Sequence, residues 1–488
     1  MIETSAKCIV MAVSLLTCIA GAAAQTALLA EGFAADPLRI GWTYTGQGSG
    51  WNGGQGCLVG QPGALWQSPR FPVTPFRYVR IECTAACGSR AMVACVRVNH
   101  ATDWGRLLTS TSGELIADDY TAVHAGARHR EVYYSRACPN ADSAYVRFHP
   151  VDSALTVDTV SVRTATSDEA RAWADSVYAR LIPLHAALPA DRLIPLVHTL
   201  TLLRSGARVR IVLLGDSIMN DLANSPFDVL LERLFPGCVI EVVAAVNGGA
   251  GIDKWNHPEL YPGQDLDLNK SVVAQRPDIV VIGGISTPAT VAGYDDVRQV
   301  VDKVRIGTDA AFGYRPDILV LTGAFGQNAN PASASSTWYE TIDTSAQDYR
   351  TTLWRIAREK QTGFFDLTGV WGRYMLGAQA AGLSYDLFFR DAIHASTEGK
   401  QLLARAMVAF FDQPVVAAVA RARARVEGLG SRPTMVDLRG RLLVTQRVLA
   451  ALPRTWQRAP SVRYDGPEEA GTRALRLVTS PYTEFGAR

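Results

Sequence analysis

The sequence predicts an α/β domain built on a five-stranded parallel sheet, preceded by an antiparallel β-sandwich. In the middle of the chain, five apolar runs alternate with helical stretches. Apolar strands joined by helices are typical of a parallel sheet that is covered on both faces. In the first third, short β-like runs are separated by Gly, Pro, Ser and Asp, which favours antiparallel strands. A chain of 488 residues has room for two or three domains.

The sandwich is predicted over residues 25–165, which is an ordinary size for such a domain. Its β-like runs are RYVRIEC, AMVACVRV, EVYYSR, AYVRFH and LTVDTVSVR. Its early part carries four aromatic residues among many glycines, namely Trp42, Tyr44, Trp51 and Trp66. On the surface such rings stack on sugars, whereas in the interior they fill the core. The sequence leaves both interpretations open.

A helical segment at 166–205 follows, because DEARAWADSVYARLI and DRLIPLVHTLTLLRS repeat apolar residues at helical spacing. The sheet strands are then predicted at 209–214, 239–246, 278–283, 317–322 and 362–366. Five such strands predict a flavodoxin-like three-layer sandwich over 206–414, with its ligand site at the carboxyl ends of the strands. Residues 415–488 form a C-terminal extension without an assigned role.

Charge and apolar length exclude two classes of partner. The formal net charge is +2, and no basic field of the kind that nucleic acid requires is present. Beyond the N-terminus, no segment offers 18 uninterrupted apolar residues, so no membrane span is predicted.

Residues 1–24 have the pattern of a removable export signal. Lys7 supplies the positive charge, the apolar stretch runs from Ile9 to Ala20, and Ala22-Ala23-Ala24 offers a cleavage site. We therefore expect a periplasmic or secreted protein.

Cysteine usage suggests disulfide bonds in the sandwich. Of the eight cysteines, two lie in the export signal and one is Cys238. The other five crowd into the first third: Cys57, Cys83, Cys87, Cys95 and Cys138. In an oxidising compartment such density favours disulfides. A zinc site is not favoured, because Cys83 and Cys87 lack a second close Cys/His pair. No metal ion and no organic cofactor are predicted.

Gly215-Asp216-Ser217 stands where the first sheet strand meets a helix. A serine in this place is either a helix cap or a nucleophile. The carboxyl edge of an open α/β sheet exposes side chains to a ligand, which favours the nucleophile.

A second group lies far downstream, in FFRDAIHASTEGKQLLA, where Asp391 and His394 are three residues apart. A loop of this kind can place the imidazole against a serine while the carboxylate orients the ring. The other seven histidines, His124 and His129 among them, are interpreted as structural.

Asn247-Gly248-Gly249 follows the second strand. Because glycine has no Cβ, such a turn can bring backbone N–H groups close to a reacting carbonyl.

Taken together, these segments resemble the SGNH (GDSL-type) hydrolases over residues 206–412. The resemblance implies that Ser217 is the nucleophile and that His394 and Asp391 complete its triad. It also implies that the backbone N–H groups of Ser217 and Gly249 stabilise the oxyanion.

One family block departs from the pattern. The family carries an asparagine after its third strand, and here that strand ends IGGISTPAT. The predicted replacement donor is Ser286, with the backbone N–H of Gly283 or Gly284 and the side chain of Asn220 as further candidates.

The resemblance implies acyl-ester chemistry through an acyl-serine, without metal or cofactor. Export and the attached sandwich favour a secreted serine esterase that removes O-acetyl groups from plant cell-wall polysaccharide of the xyloglucan or xylan type. Three alternatives stay open: an acetyltransferase acting on a glycan, a lipase or thioesterase of the same fold, and a non-catalytic glycan-binding protein.

Overall fold

The computed structural model describes residues 27–412 and three later strands. Gaps in the description fall at 49, 90, 100–107, 110–114, 140, 187–195, 265, 284, 286–290, 324–344 and 392. The chain divides into two compact units. The first comprises the residues up to 95 together with 123–137 and 142–170. The second comprises 96–122, 138–141 and the chain from 171 onward. The predicted export signal lies outside the described residues.

Thirteen strands precede the first long helix in the part of the chain that is described. They are β1 (Ala27–Glu31), β2 (Thr43–Thr45), β3 (Gly50–Asn52), β4 (Cys57–Gly60), β5 (Leu65–Gln67), β6 (Phe71–Pro72), β7 (Tyr78–Cys87), β8 (Ala91–Asn99), β9 (Leu108–Thr109), β10 (Leu115–Val123), β11 (Gly126–Arg136), β12 (Ser143–Pro150) and β13 (Leu155–Ala165). One sheet has the order β11-β7-β13-β4-β3, with β1 paired to β13. The other has the order β2-β5-β12-β8-β10-β9, with β6 paired to β12.

The two sheets enclose an apolar core, as the alternating sequence of their strands predicts. Along β7, every second residue from Ile81 to Cys87 is buried. Trp42 and Trp66 are also buried in this core. The ring N–H of Trp51 donates to the carbonyl oxygen of Phe33 at 2.9 Å.

The four early aromatics therefore do not form a surface platform. Only Tyr44 of the four is exposed, with 41% of its surface accessible. Its ring lies against that of Trp66, with a centroid distance of 4.9 Å. The core-filling interpretation is right for Trp42 and Trp66, whereas Trp51 is half-buried and packs against the core.

The predicted disulfides are not formed. All six cysteines in the described part of the chain are free: Cys57, Cys83, Cys87, Cys95, Cys138 and Cys238. The reason is strand alternation. Cys83 and Cys87 are four residues apart on β7, so both point into the core, but about 13 Å of extended strand separates them, too far for a disulfide. There they pack as small apolar side chains.

The helices of the remaining chain are α1 (Ser167–Tyr178), α2 (Val197–Ser205), α3 (Ser217–Ala223), α4 (Phe227–Leu234), α5 (Ile252–Asn256), α6 (Leu268–Ser271), α7 (Val291–Phe312), α8 (Ser345–Glu359), α9 (Leu367–Ala380) and α10 (Thr397–Phe411). Short 3₁₀ turns lie at Pro37–Ile40, Pro258–Leu260, Val273–Gln275 and Tyr385–Leu387. The strands of the second unit's parallel sheet are β14 (Arg208–Gly215), β15 (Val239–Val246), β16 (Ile279–Ile282), β17 (Asp317–Leu321) and β18 (Gly363–Phe365).

These five strands form a parallel sheet in the order β15-β14-β16-β17-β18. The prediction of a parallel α/β sheet is confirmed, and each strand lies within two residues of its predicted bounds. The order corresponds to 2-1-3-4-5 along the chain, which is the flavodoxin-like order.

Both faces of the sheet are covered. Ile211 and Leu213 of β14 belong to one apolar core, and Val212 and Leu214 belong to the other. Successive side chains of a strand point to opposite faces, so the near-continuous apolar run serves both cores.

Three further strands are described in the C-terminal extension. They are β19 (Leu442–Thr445), β20 (Val462–Tyr464) and β21 (Thr472–Leu477), which pair antiparallel in the order β19-β21-β20. Among the helices that are described, none is long and apolar enough to cross a membrane.

Candidate active site

Ser217 is the first residue of α3, directly after β14. The residue that caps the helix is its neighbour, Asp216. Asp216 has an extended backbone (φ −105°, ψ −163°), and its carboxylate accepts a hydrogen bond from the N–H of Ile218 at 2.9 Å. Burial raises the pKa of the Asp216 carboxyl. Because Asp216 performs the capping, the hydroxyl of Ser217 is available for another partner.

That partner is His394. The Oγ atom of Ser217 lies 2.8 Å from Nε2 of His394. On the other side of the ring, Nδ1 lies 2.8 Å from Oδ2 and 3.0 Å from Oδ1 of Asp391. The three residues named from the sequence are therefore joined in one series of hydrogen bonds.

The carboxylate of Asp391 is held in its ionised form. Burial raises its pKa, but the hydrogen bond from the His394 ring lowers it, and so do those from two backbone N–H groups. These belong to Ile393 and His394, and they donate to Oδ1 at 2.9 and 2.8 Å. The net effect holds the pKa of Asp391 well below its ordinary value. An ionised Asp391 can only accept, so Nδ1 of His394 carries the proton and Nε2 is left to accept from Ser217.

The loop that carries Asp391 and His394 closes just before α10. Phe389 and Ala395 form an isolated antiparallel bridge across it. Ser396 then caps α10, since its Oγ accepts a hydrogen bond from the N–H of Gly399 at 3.2 Å. A Cβ at Gly399 would lie 2.1 Å from the carbonyl oxygen of Phe388, so only glycine fits here.

A buried ion pair fastens this loop to α3. Asp221, one turn after Ser217, accepts a hydrogen bond from Nη1 of Arg390 at 2.7 Å. Its second oxygen accepts one from the N–H of Ala395 at 2.8 Å. Arg390 also donates to the carbonyl oxygen of Ala395 at 2.5 Å. The sequence analysis missed both residues: Asp221 lies four residues after Ser217 and Arg390 directly precedes Asp391, but this proximity alone does not show that the two pair with each other.

The glycine turn after β15 lies beside the end of β14. The N–H of Asn247 donates to the carbonyl oxygen of Gly215 at 3.1 Å, and the N–H of Ala250 closes the turn on Asn247 at 3.0 Å. Gly249 has a φ of +67°, which favours glycine. Within the described chain, the N–H groups of Ser217 and Gly249 make no hydrogen bond. The structure thus keeps both predicted oxyanion donors available.

The residues proposed to replace the asparagine of the third block differ in whether they can donate a hydrogen bond. The N–H of Gly283 donates to the carbonyl oxygen of Leu214 at 2.8 Å, so it is not an available donor. The side-chain oxygen of Asn220 accepts a hydrogen bond from the amide of Asn224 at 2.8 Å. Ser286 and Gly284 lie outside the described residues.

No protein-family model matches the chain, and no curated protein matches it. Solved structures do. One is a two-domain esterase active on acetylated mannans, co-crystallized with mannopentaose, at 17% identity and a TM-score of 0.33. The match covers 46% of this chain and 58% of that esterase, so the chain spans less than two thirds of its length.

Two acetyl xylan esterases match as well. The first is 17% identical, with a TM-score of 0.32, over 41% of this chain and 99% of that one. The second, from Geobacillus stearothermophilus, is 19% identical, with a TM-score of 0.28, over 42% of this chain and 94% of that one. The chain resembles these carbohydrate acetylesterases at a distance.

Proposed function

We propose that this protein is a serine carboxylic ester hydrolase with Ser217 as nucleophile, His394 as general base and Asp391 as the group that orients the base. The observation that carries the proposal is the hydrogen-bonded series from Ser217 through His394 to Asp391, with 2.8 Å at each of its two links. These distances suit proton transfer from a serine hydroxyl to an imidazole.

In the proposed reaction, Nε2 of His394 accepts the hydroxyl proton while Oγ of Ser217 forms a bond to the ester carbonyl carbon. The tetrahedral intermediate collapses, and the alcohol leaves with the proton that His394 returns to it. Water then attacks the acyl-serine by the same route and releases the carboxylic acid. Asp391 stays ionised throughout and stabilises the imidazolium.

The negative oxygen of the intermediate needs donors. We assign this role to the N–H groups of Ser217 and Gly249, which have no other hydrogen-bond partner among the described residues. The helix that begins at Ser217 adds a favourable dipole at the same point. One such donor contributes about 3–4 kcal/mol to transition-state stabilisation. Ser286 remains a proposal for the third donor.

We further propose that the protein is exported and that its substrate is an O-acetyl group on plant cell-wall polysaccharide. The predicted export signal at 1–24 and the β-sandwich that precedes the α/β unit support this choice. Acetylated xyloglucan and xylan are the expected substrates. Acetylated mannan is included in the experiment below because a structural neighbour acts on it.

The test measures acetate released from the three acetylated polysaccharides and from p-nitrophenyl acetate. We expect the wild type and Ser205→Ala, which removes an exposed serine outside the site, to release acetate equally. Ser217→Ala is expected to be slower by on the order of a thousandfold or more. Turnover of the small ester alone would keep the esterase and overturn the polysaccharide substrate. Acetate that appears only when a sugar acceptor is added would indicate an acetyltransferase.

A further inference from the structure

Three side chains with metal-ligating atoms converge on the first unit, in a place that the proposed reaction does not use. His124 lies just before β11, and His129 and Glu131 are two residues apart on that strand. Oε1 of Glu131 is 2.7 Å from Nδ1 of His124 and 2.8 Å from Nε2 of His129. All three ligand atoms lie within 4.8 Å of one another.

The partner of Nδ1 of His129 determines whether Nε2, which faces Glu131, can act as a ligand. Nδ1 lies 2.8 Å from the carbonyl oxygen of Ala127. A carbonyl oxygen only accepts, so Nδ1 carries a hydrogen. In the neutral ring, Nε2 then has a lone pair that faces the carboxylate oxygen of Glu131. Two acceptors at this distance repel unless a cation or a second proton lies between them.

This arrangement is the one that metal-bound histidines show. Such a ring donates its other N–H to a backbone carbonyl or a carboxylate, which fixes the tautomer and the orientation of the ligand nitrogen. Ala127 provides that carbonyl for His129. The backbone N–H of His124 donates to Oε1 of Glu131 at 2.9 Å, and this bond orients the carboxylate in the same way.

Burial and charge fit a cation that enters from solvent. The side chain of Glu131 is 9% exposed, whereas those of His124 and His129 are 36% and 32% exposed. The carboxylate is thus the most buried of the three groups, and the two rings are partly exposed to solvent.

We propose that His124, His129 and Glu131 bind a divalent transition-metal ion, with zinc as its chemical type. Two imidazoles and one carboxylate suit zinc, whereas calcium and magnesium prefer an all-oxygen shell. Tetrahedral zinc with ligands at about 2.0–2.1 Å separates its ligand atoms by about 3.3 Å. The two ring nitrogens lie about half an ångström too close to Oε1 of Glu131 for this spacing and within 4.8 Å of each other, so both rings must shift to bind the ion. Water completes the coordination.

The ion would join the residue that precedes β11 to the strand itself. Because it binds the folded arrangement alone, it would stabilise that edge of the sheet. This proposal differs from the interpretation of His124 and His129 as structural and from the expectation of no metal. It does not depend on the proposed esterase.

The experiment uses the full chain without a polyhistidine tag, stripped with a chelator, and titrates it with ZnCl₂ in a calorimeter. Cobalt(II) serves as a second probe, because its visible absorption reports the coordination of the ion. We expect one ion per chain in the wild type. His124→Gln and His129→Gln are each expected to weaken binding at least about tenfold, since even changes at partners of metal ligands have effects of that size.

His257→Gln is the matched control. The ring of His257 also lies between two carboxylates, but Glu259 approaches Nδ1 at 3.2 Å and Asp296 approaches Nε2 at 3.1 Å. The opposite nitrogens cannot share one ion, so this change is expected to leave zinc binding unaltered. Absence of saturable binding in the wild type would overturn the proposal whatever the variants do. Binding that neither His124→Gln nor His129→Gln weakens would overturn it as well.

Discussion

The carboxylate of Asp221 accepts a hydrogen bond from the guanidinium group of Arg390 at 2.7 Å, across 169 residues of chain. Their side chains are 2% and 6% exposed. Asp221 lies on the helix that begins at Ser217, and Arg390 begins the loop that carries Asp391 and His394. The ion pair thus sets the position of the proposed general base relative to the proposed nucleophile.

Asp221→Asn is expected to lower kcat about a hundredfold and to change KM little. The amide removes the carboxylate that pairs with Arg390 and offers only one acceptor where two hydrogen bonds end. A displacement of His394 by about 1 Å is enough for a rate loss of that size. Breaking a buried pair in this way also reduces the free energy of unfolding by roughly 3–5 kcal/mol. Steady-state kinetics with p-nitrophenyl acetate, at a temperature where the variant is folded, measure the effect.

Asp366→Asn separates positioning from general loss of stability. Asp366 pairs with Arg350 at 2.8 Å, also buried and in the same unit, and among the described residues it makes no hydrogen bond or ion pair with the histidine loop. This variant is expected to unfold more easily while its folded fraction keeps the wild-type kcat. Equal loss of kcat in both variants would remove the positioning role of Asp221.

Asp391→Asn is expected to reduce kcat/KM by on the order of 10⁴. The N–H groups of Ile393 and His394 hold the amide oxygen, which directs the amide nitrogen toward Nδ1 of His394. Nδ1 must then accept, so Nε2 carries the hydrogen and cannot take the proton of Ser217. The measurement is kcat/KM at neutral pH. A loss of less than about tenfold would show that Asp391 does not select the tautomer.

The pH profile of kcat/KM is expected to fall toward acid with a slope of one proton. Protonation of His394 at Nε2 removes its capacity to accept from Ser217. Asp391 adds no second proton in this range because its pKa is held well below the ordinary value. Initial rates with a small ester between pH 4.5 and pH 8 measure the slope. A flat profile, or a slope of two, would contradict the assignment.

Glu169 provides a test of stability that is independent of the active site. Thr166 and Glu169 form a reciprocal cap at the start of α1: the carboxylate accepts from the N–H of Thr166 at 2.9 Å, and the hydroxyl accepts from the N–H of Glu169 at 3.2 Å. The hydrogen bond from Arg163 is the main reason that the pKa of Glu169 falls to about 2.

A depressed carboxyl pKa stabilises the fold above the pKa of the unfolded chain, about 4.3, and this contribution disappears as the pH falls toward 2. Glu169→Gln is therefore expected to lower the urea midpoint at pH 7 and to approach the wild type near pH 2.5. Gln can still accept from the N–H of Thr166, so the expected loss is that of the partly exposed ion pair with Arg163, about 0.2–1 kcal/mol. An equal difference at both pH values would exclude the ionised carboxylate as the source.

The parallel sheet could be predicted because its strands are buried on both faces and so appear as uninterrupted apolar runs. The positions of Ser217, Asp391 and His394 followed from the order of short motifs along the strands. The Asp221–Arg390 pair could not be read in the same way. Its two partners are distant in sequence, and a buried ion pair leaves no periodic pattern.

The sandwich shows where composition misleads. Five cysteines in its part of the chain suggested disulfides, but the spacing of Cys83 and Cys87 on one strand places both in the core. The tryptophans among the early glycines suggested a sugar platform, yet Trp42 and Trp66 are buried. In both cases the alternation of the strand decides the environment, and residue type alone does not.

Covalent labelling with a fluorophosphonate is the most direct test of the proposed nucleophile. Oγ of an activated serine forms a bond to phosphorus and releases fluoride, whatever the natural substrate is. Intact mass and peptide mapping are expected to show one phosphonyl group on Ser217, none on Ser217→Ala, and labelling at least about a hundredfold slower in His394→Gln. An unlabelled wild type, or a label that stays in Ser217→Ala, would contradict the assignment of Ser217.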